Sequence, residues 1–112
     1  MPGTENLYAS ETVRSVVSFC AQNGKLIASI CAAPSIPGRM QLLCGKRAVC
    51  FPGFEGKLDG CLPSDRSVET DGAFITAKGA GCAFPFAHAI ISYLLGAEAA
   101  DGVLRNMQYA QL

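Results

Sequence analysis

Apolar side chains recur along this chain with two different periods, and the period distinguishes helices from strands. Between residues 13 and 20 they recur at helical spacing, which predicts a helix with one apolar face against a sheet. Ser10 is a good N-cap for this helix, and Asn23-Gly24 is a typical C-terminal pair. The short apolar run at 26–30 then predicts a strand that is covered on both faces, and this order indicates half of a parallel α/β unit.

The rest of the chain alternates turn residues with short apolar runs, so it predicts several further short elements. Asp71-Gly72 is the dipeptide most typical of a tight hairpin, and the glycine-rich stretch 78–81 opens a long apolar segment. In chain order, the pattern predicts a loop at 1–8, a short helix to about residue 40, a strand at 47–51, a helical turn at 54–58, strands at 67–70 and 73–77, a helix at 82–95 and an amphipathic helix at 97–109.

Cys31 ends the apolar run, and the sequence Cys31-Ala32-Ala33-Pro34 predicts a sharp turn from strand to helix. Such a nucleophile elbow holds the side chain out of the sheet and close to free N–H groups at the start of the helix. The helix dipole favours negative charge there, so we expect a thiolate-prone and easily oxidised cysteine. The alternative is a buried structural cysteine, because free cysteine is among the most buried residue types.

Composition and charge narrow the classes of function. Half of the 112 residues are apolar, which supports one compact core. Nine basic and nine acidic side chains cancel, so we expect neither a nucleic acid nor a membrane surface as partner. The N-terminal residues lack the pattern of a signal peptide, and the longest apolar segment, 82–95, is too short to cross a bilayer.

Six cysteines and one histidine carry the remaining candidate chemistry. The cysteines are irregularly spaced, with no C-x-x-C motif and no companion histidine pair, so we expect no metal site. Without an export signal, reduced thiols in the cytoplasm are the expected state. His88 lies in an apolar run with no acidic residue one helical turn away, which favours a core or interface role over a catalytic one.

Several motifs occur in an order that matches a known family along the whole chain. They are Met1-Pro2-Gly3, Glu5-Asn6-Leu7, residues 24–34, Gly45-Lys46-Arg47-Ala48, residues 50–55, Asp71-Gly72, Ile75-Thr76 and Gly79-Ala80-Gly81. On these motifs the chain resembles the ThiJ/PfpI superfamily, and within it the branch of the parkinsonism-linked deglycase and its bacterial relatives. The resemblance implies a flavodoxin-like α/β fold, the three-layer sandwich with a mostly parallel sheet of class I glutamine amidotransferases, and usually a homodimer.

The resemblance also implies that residues 1–112 are the C-terminal portion of a single α/β domain, because family members place further βα units before the first motif. That earlier part supplies a glutamate beside the cysteine and half of an oxyanion hole. The backbone N–H of Ala32 supplies the other half. The expected partners are therefore a second copy of the chain or the missing N-terminal part.

Residues near Cys31 indicate which branch of the superfamily the chain resembles. Protease-like members place a histidine where this chain has Ala32, so a hydrolytic dyad finds no support. Phe51 stands where the parkinsonism-linked protein has a histidine, and many bacterial relatives carry an aromatic residue there. Ala80 replaces a proline beside the site. By the same resemblance, Phe51 and Pro52 are expected to bind substrate.

The resemblance leaves two functions open. In the first, the Cys31 thiolate attacks a small reactive carbonyl such as methylglyoxal or its adducts, as in a glyoxalase or protein deglycase, and no cofactor is needed. In the second, Cys31 is oxidised to the sulfinic level, and the protein is a redox sensor or a chaperone-like stress protein without turnover.

Overall fold

A computed structural model describes residues 1–109, which form five α-helices and three short β-strands. In chain order these are α1 (Pro2–Ala9), α2 (Glu11–Gln22), β1 (Ile27–Ile30), α3 (Ser35–Arg39), β2 (Val68–Asp71), β3 (Phe74–Ala77), α4 (Ala83–Leu95) and α5 (Ala97–Asn106). Single 3-10 turns lie at Glu55–Lys57 and Ala80–Cys82. The predicted α/β class is confirmed.

The strands form one mixed sheet in the order β1-β3-β2. β1 runs parallel to β3 with Ile27 level with Phe74, whereas β2 runs antiparallel to β3. The connection between β2 and β3 is the hairpin that Asp71-Gly72 predicts. Gly72 takes the left-handed conformation that this turn requires, with a φ of 60°. Within residues 1–109, β1 and β2 each have one strand neighbour.

The core lies between the sheet and the long connection that follows α3. All four residues of β3 are buried. The core cluster consists of Leu43, Ala48, Cys50, Leu58 and Phe74. Four of these five residues come from the connection, so the core anchors the segment that passes Cys31. α2 packs against β1, and α4 packs against β2 and β3.

The predicted ends of α2 are confirmed. The Ser10 Oγ accepts a hydrogen bond from the Val13 N–H at 3.3 Å, as an N-cap does. The helix ends at Gln22 with Asn23 as its C-cap. Gly24 then takes a φ of 65°, which glycine adopts without strain.

The prediction of a loop at 1–8 is wrong, because Pro2–Ala9 is helical. Proline suits the first turn of a helix. Tertiary contacts add the rest: the Glu5 carboxylate pairs with the Arg39 guanidinium and with the Lys57 ammonium, each at 3.1 Å. The Arg39 guanidinium also lies 3.7 Å from the centroid of the Tyr8 ring. These partners are distant in sequence, so the local pattern gave no sign of them.

The prediction of a strand at 47–51 is also wrong. Arg47 makes a single isolated bridge to Leu62, and no ladder continues from it within the described residues. The Val49 N–H donates instead to the Thr76 side-chain hydroxyl at 3.0 Å. The segment is extended, but its hydrogen bonds go to a side chain and to a loop carbonyl rather than to a neighbouring strand.

Among residues 1–109, no helix is both long and apolar enough to span a membrane. The predicted helix at 97–109 is confirmed as α5, which ends earlier, at Asn106. The predicted domain extends to residue 112, and residues 110–112 lie outside the described part.

Candidate functional site

Cys31 lies at the C-terminal end of β1 in a backbone conformation that residues other than glycine rarely adopt. Its φ is 66°, in the left-handed region. The Cys31 N–H donates to the Ala77 carbonyl at 3.0 Å, and the Cys31 carbonyl accepts from the Phe51 N–H at 2.7 Å. Strain of this kind persists only where the surrounding structure imposes it, and it gathers at functional sites. The chain therefore bends sharply at the predicted position.

The helix after the bend begins directly after Pro34, as the sequence predicts. Residues 31–34 form turns, and α3 starts at Ser35. Within these turns the Ala33 N–H donates to the Ile30 carbonyl at 3.1 Å, and the Ser35 hydroxyl donates to the Ala32 carbonyl at 2.6 Å. The predicted sharp turn from strand to helix is confirmed, with Pro34 as the N-cap of α3. The N–H groups nearest Cys31 belong to turns.

Ala32 is buried, with 1% of its surface exposed. Its N–H donates to no backbone carbonyl within the described residues. Buried N–H groups are almost always paired, so an unpaired one calls for an explanation. Donation to a bound ligand or to an oxyanion would satisfy it.

Phe51 and Pro52 lie beside the bend, because the backbone hydrogen bond to Cys31 brings their segment there. The Phe51 ring is exposed, and its edge packs on Gly79, where a Cβ would lie 3.6 Å from the ring. Pro52 lines a cavity of about 250 Å³ that also contains the Lys78 side chain. The structure thus joins Phe51 to Cys31 through the backbone, whereas Cys31 is not among the residues that line the cavity at Pro52.

The cysteines differ in environment, although all six are free. Burial, with the nearby Glu55 carboxylate as second cause, raises the pKa of the Cys50 thiol to about 11. Burial also raises the pKa of Cys61. Cys31 is half-buried and therefore more accessible than Cys50.

His88 has an acidic partner that the sequence did not reveal. Its Nε2 lies 2.7 Å from the Asp101 Oδ1, and the side chain is one-third exposed. Asp101 belongs to α5, beyond the turn at Gly96, so only the α4–α5 hairpin brings the two together. Within residues 1–109, no three His, Cys, Asp or Glu side chains gather closely enough to hold a metal ion.

A mixed sheet with a strained cysteine at the end of a parallel strand defines an α/β protein of the nucleophile-elbow class. The model of the DJ-1/PfpI family matches residues 1–93. The chain belongs to the DJ-1/PfpI family.

Its relatives are longer. Protein DJ-1 homolog B of Arabidopsis thaliana is 37% identical over 102 residues, which are 89% of this chain and 23% of that protein. The glutathione-independent glyoxalase DJR-1.2 of Caenorhabditis elegans is 28% identical over 112 residues, 98% of this chain and 60% of that one. Oxidized DJ-1 of Toxoplasma gondii superposes with a TM-score of 0.91 at 29% identity, over 99% of this chain and 61% of the other. The flavodoxin-like α/β fold is thereby confirmed, and the chain spans less than two thirds of these relatives.

Proposed function

We propose that this protein is a cysteine-dependent glyoxalase or protein deglycase that acts on reactive carbonyls such as methylglyoxal or its adducts. The observation that carries the proposal is the strained, half-buried Cys31 at the end of a parallel strand. The similarity to a protein named as a glyoxalase supports the same reaction class. In this proposal Cys31 is the nucleophile, the Ala32 N–H donates to the oxyanion, and Phe51 and Pro52 contact the substrate.

The chemistry needs neither a cofactor nor a redox partner. The Cys31 thiolate adds to the aldehyde carbon of methylglyoxal, a C–S bond forms, and the carbonyl electrons move to oxygen to give a hemithioacetal. Transfer of the proton from that carbon to the neighbouring ketone carbon gives a lactoyl thioester. Water hydrolyses the thioester to lactate and restores the thiol. Methylglyoxal plus water has the composition of lactic acid, so atoms and electrons balance.

The proton transfer needs a base. His88 lines a cavity that does not include Cys31, and the Glu5 carboxylate pairs with Lys57, so we assign this role to neither. We assign the base to the part of the fold that the relatives have and this chain does not span. The chain then acts as the C-terminal portion of one α/β domain, completed by that part or by a second copy.

Six free thiols support a cytoplasmic location.

Turnover of methylglyoxal tests the proposal. The chain is purified in the polypeptide in which it occurs naturally and is incubated with methylglyoxal while lactate is measured. We expect many lactate molecules per protein, loss of turnover in Cys31→Ser, and a rate within a few-fold of the wild type in His88→Gln. Stoichiometric loss of methylglyoxal without lactate would contradict the proposal.

The second candidate is a redox sensor or a chaperone-like stress protein without turnover. It is favoured by the contrast between the half-buried Cys31 and Cys50, whose burial and raised pKa of about 11 make it a poor thiol for resolving a sulfenic acid at Cys31. Mild peroxide should then add two oxygen atoms to Cys31, as measured by intact mass and peptide mapping. A Cys31–Cys50 cross-link would contradict this route.

A further inference from the structure

A second cavity, of about 460 Å³, lies in the hairpin of α4 and α5. Small-molecule sites in proteins have volumes of about 300–1,000 Å³. The lining residues are Pro85, His88, Asp101, Leu104, Arg105 and Tyr109. None of them belongs to the site at Cys31, so the cavity is a separate place on the molecule.

One side of the cavity is apolar and held in position. Pro85 and Leu104 provide aliphatic surface, and the Tyr109 ring lies against the Phe84 ring with centroids 5.1 Å apart. A tilted ring pair at this distance is a favourable arrangement, so the contact with Phe84 stabilises the position of the Tyr109 ring. This side suits the hydrocarbon part of a ligand.

The other side carries one cation without a carboxylate partner. Asp101 is bonded to the His88 ring, and the Arg105 guanidinium pairs with no acidic side chain within residues 1–109. A guanidinium presents two parallel N–H groups that match the two oxygens of a carboxylate. Because Asp101 accepts from Nε2, the His88 ring is fixed and its Nδ1 remains for a ligand or water.

We propose that this cavity binds a small organic carboxylate with an apolar body, paired to Arg105 and packed against Leu104 and Tyr109. A monoanion fits better than a phosphate, because the Asp101 carboxylate in the same wall repels a second negative charge. The apolar side of the cavity likewise makes no favourable contact with inorganic phosphate, which has no hydrocarbon part. The proposal does not depend on any chemistry at Cys31.

Benzoate is the first probe, with benzamide and inorganic phosphate as matched comparisons. The ¹⁵N-labelled protein is purified in the polypeptide in which it occurs naturally, and its amide resonances are followed by NMR as each is added. We expect saturable shifts with benzoate that are confined to residues 84–89 and 101–109. Benzamide keeps the ring without the charge and should bind about ten-fold more weakly, since a charged hydrogen-bond pair is lost. Phosphate should cause no saturable shift in this region.

Substitutions then locate the contact. Arg105→Gln should weaken benzoate binding about ten-fold, while Lys25→Gln, at an exposed cation that does not line this cavity, should leave it within two-fold. Arg105 is exposed, and an unchanged spectrum elsewhere shows that the variant is folded. Cys31→Ser should bind benzoate normally, so the outcome is independent of the proposed enzyme function. The absence of saturable shifts, equal binding of benzamide, or unchanged affinity of Arg105→Gln would overturn the proposal.

Discussion

Cys31 differs from the other cysteines in its backbone as much as in its accessibility. It is the only cysteine of the chain with a positive φ, and two backbone hydrogen bonds hold it at the bend. Cys50 directly precedes Phe51, whose N–H donates to the Cys31 carbonyl, yet Cys50 is a core residue with 2% of its surface exposed. The same local contact therefore presents one thiol and buries the other.

Alkylation should separate these two thiols. Brief treatment of the folded protein with iodoacetamide should label Cys31 well before Cys50, because Cys50 is buried and its raised pKa of about 11 leaves little thiolate. Peptide mass spectrometry at several times measures the order. In denaturant the two rates should converge, which is the control. Faster labelling of Cys50 than of Cys31 in the folded protein would refute the assignment of Cys31 as the more accessible thiol.

The raised pKa of Cys50 should also appear in the stability of the fold. The folded thiol keeps its proton up to a pKa of about 11, whereas the ordinary value is 9.0. Stability from this group is therefore complete below pH 9 and is lost as the pH rises toward 11. We expect the free energy of unfolding to fall by roughly 1–3 kcal/mol more in the wild type than in Cys50→Ala over this range. Urea unfolding of both proteins at pH 9 and at pH 11 measures these free energies. An equal fall in the wild type and in Cys50→Ala would contradict the prediction.

At the scale of elements, close backbone packing holds α3 in place. A Cβ on Gly38 would lie 2.6 Å from the Lys57 carbonyl oxygen and 2.9 Å from the Leu58 Cα. α3 therefore approaches the 3-10 turn at Glu55–Lys57 backbone to backbone, which only glycine permits. α1 adds to the same region, because Glu5 bridges to Arg39 of α3 and to Lys57 of the turn.

Two glycine substitutions test this contact. Helix propensity alone favours Ala over Gly by about 1 kcal/mol, so Gly38→Ala would stabilise α3 if space allowed. Because the new Cβ meets backbone that cannot move aside, we expect Gly38→Ala to destabilise the protein by about 1–3 kcal/mol or more. Gly56→Ala is the matched control, since its Cβ would meet nothing within 4 Å and its change should be small. Thermal unfolding of both variants measures the two changes in stability. Equal melting temperatures would refute the close approach of α3 to the 3-10 turn.

At the scale of the whole molecule, much apolar surface faces outward. α2 exposes Val16 and Phe19, and α4 exposes Leu94 and Leu95, the last at 75%. β1 has β3 on one side only within the described residues. Large exposed apolar surface and an open strand edge are typical of an interface. The further part of the fold that the relatives contain, or a second copy, would cover them.

A single proline tests the open edge of β1. The N–H groups of Ile27 and Cys31 donate to the carbonyls of Ala73, just before β3, and of Ala77, at its end, so the alternate N–H of Ala28 points to the free side. Ala28→Pro therefore removes no bond to β3 but prevents pairing on the open edge. We expect the 112-residue chain to associate in light scattering and Ala28→Pro to shift it toward the monomer.

Ala28→Val keeps the N–H and is the control for that experiment, because a β-branched residue suits a strand. It should associate like the wild type. A wild-type chain that stays monomeric at every concentration would argue against the proposed completion of the fold.

The sequence by itself determined the features that depend on neighbouring residues. Ser10 caps α2, Asp71-Gly72 turns the hairpin, and Cys31 follows a strand, because each signal involves residues within a few positions of one another. The prediction that this strand is covered on both faces is wrong for the described residues, because Ala28 is exposed and the other residues of β1 are only partly buried. The motifs around Cys31 also sufficed to identify the family, and they placed Phe51 beside it.

The tertiary structure decided what depends on distant partners. The helix Pro2–Ala9 lies where Glu5 pairs with cations beyond position 38. Residues 47–51 form no ladder, and the N–H groups of Val49 and Phe51 donate instead to Thr76 and Cys31. His88 acquires Asp101 only when α4 folds back on α5. Each of these contacts joins residues that are far apart in sequence, and only the folded chain brings them together, so no local pattern reveals them.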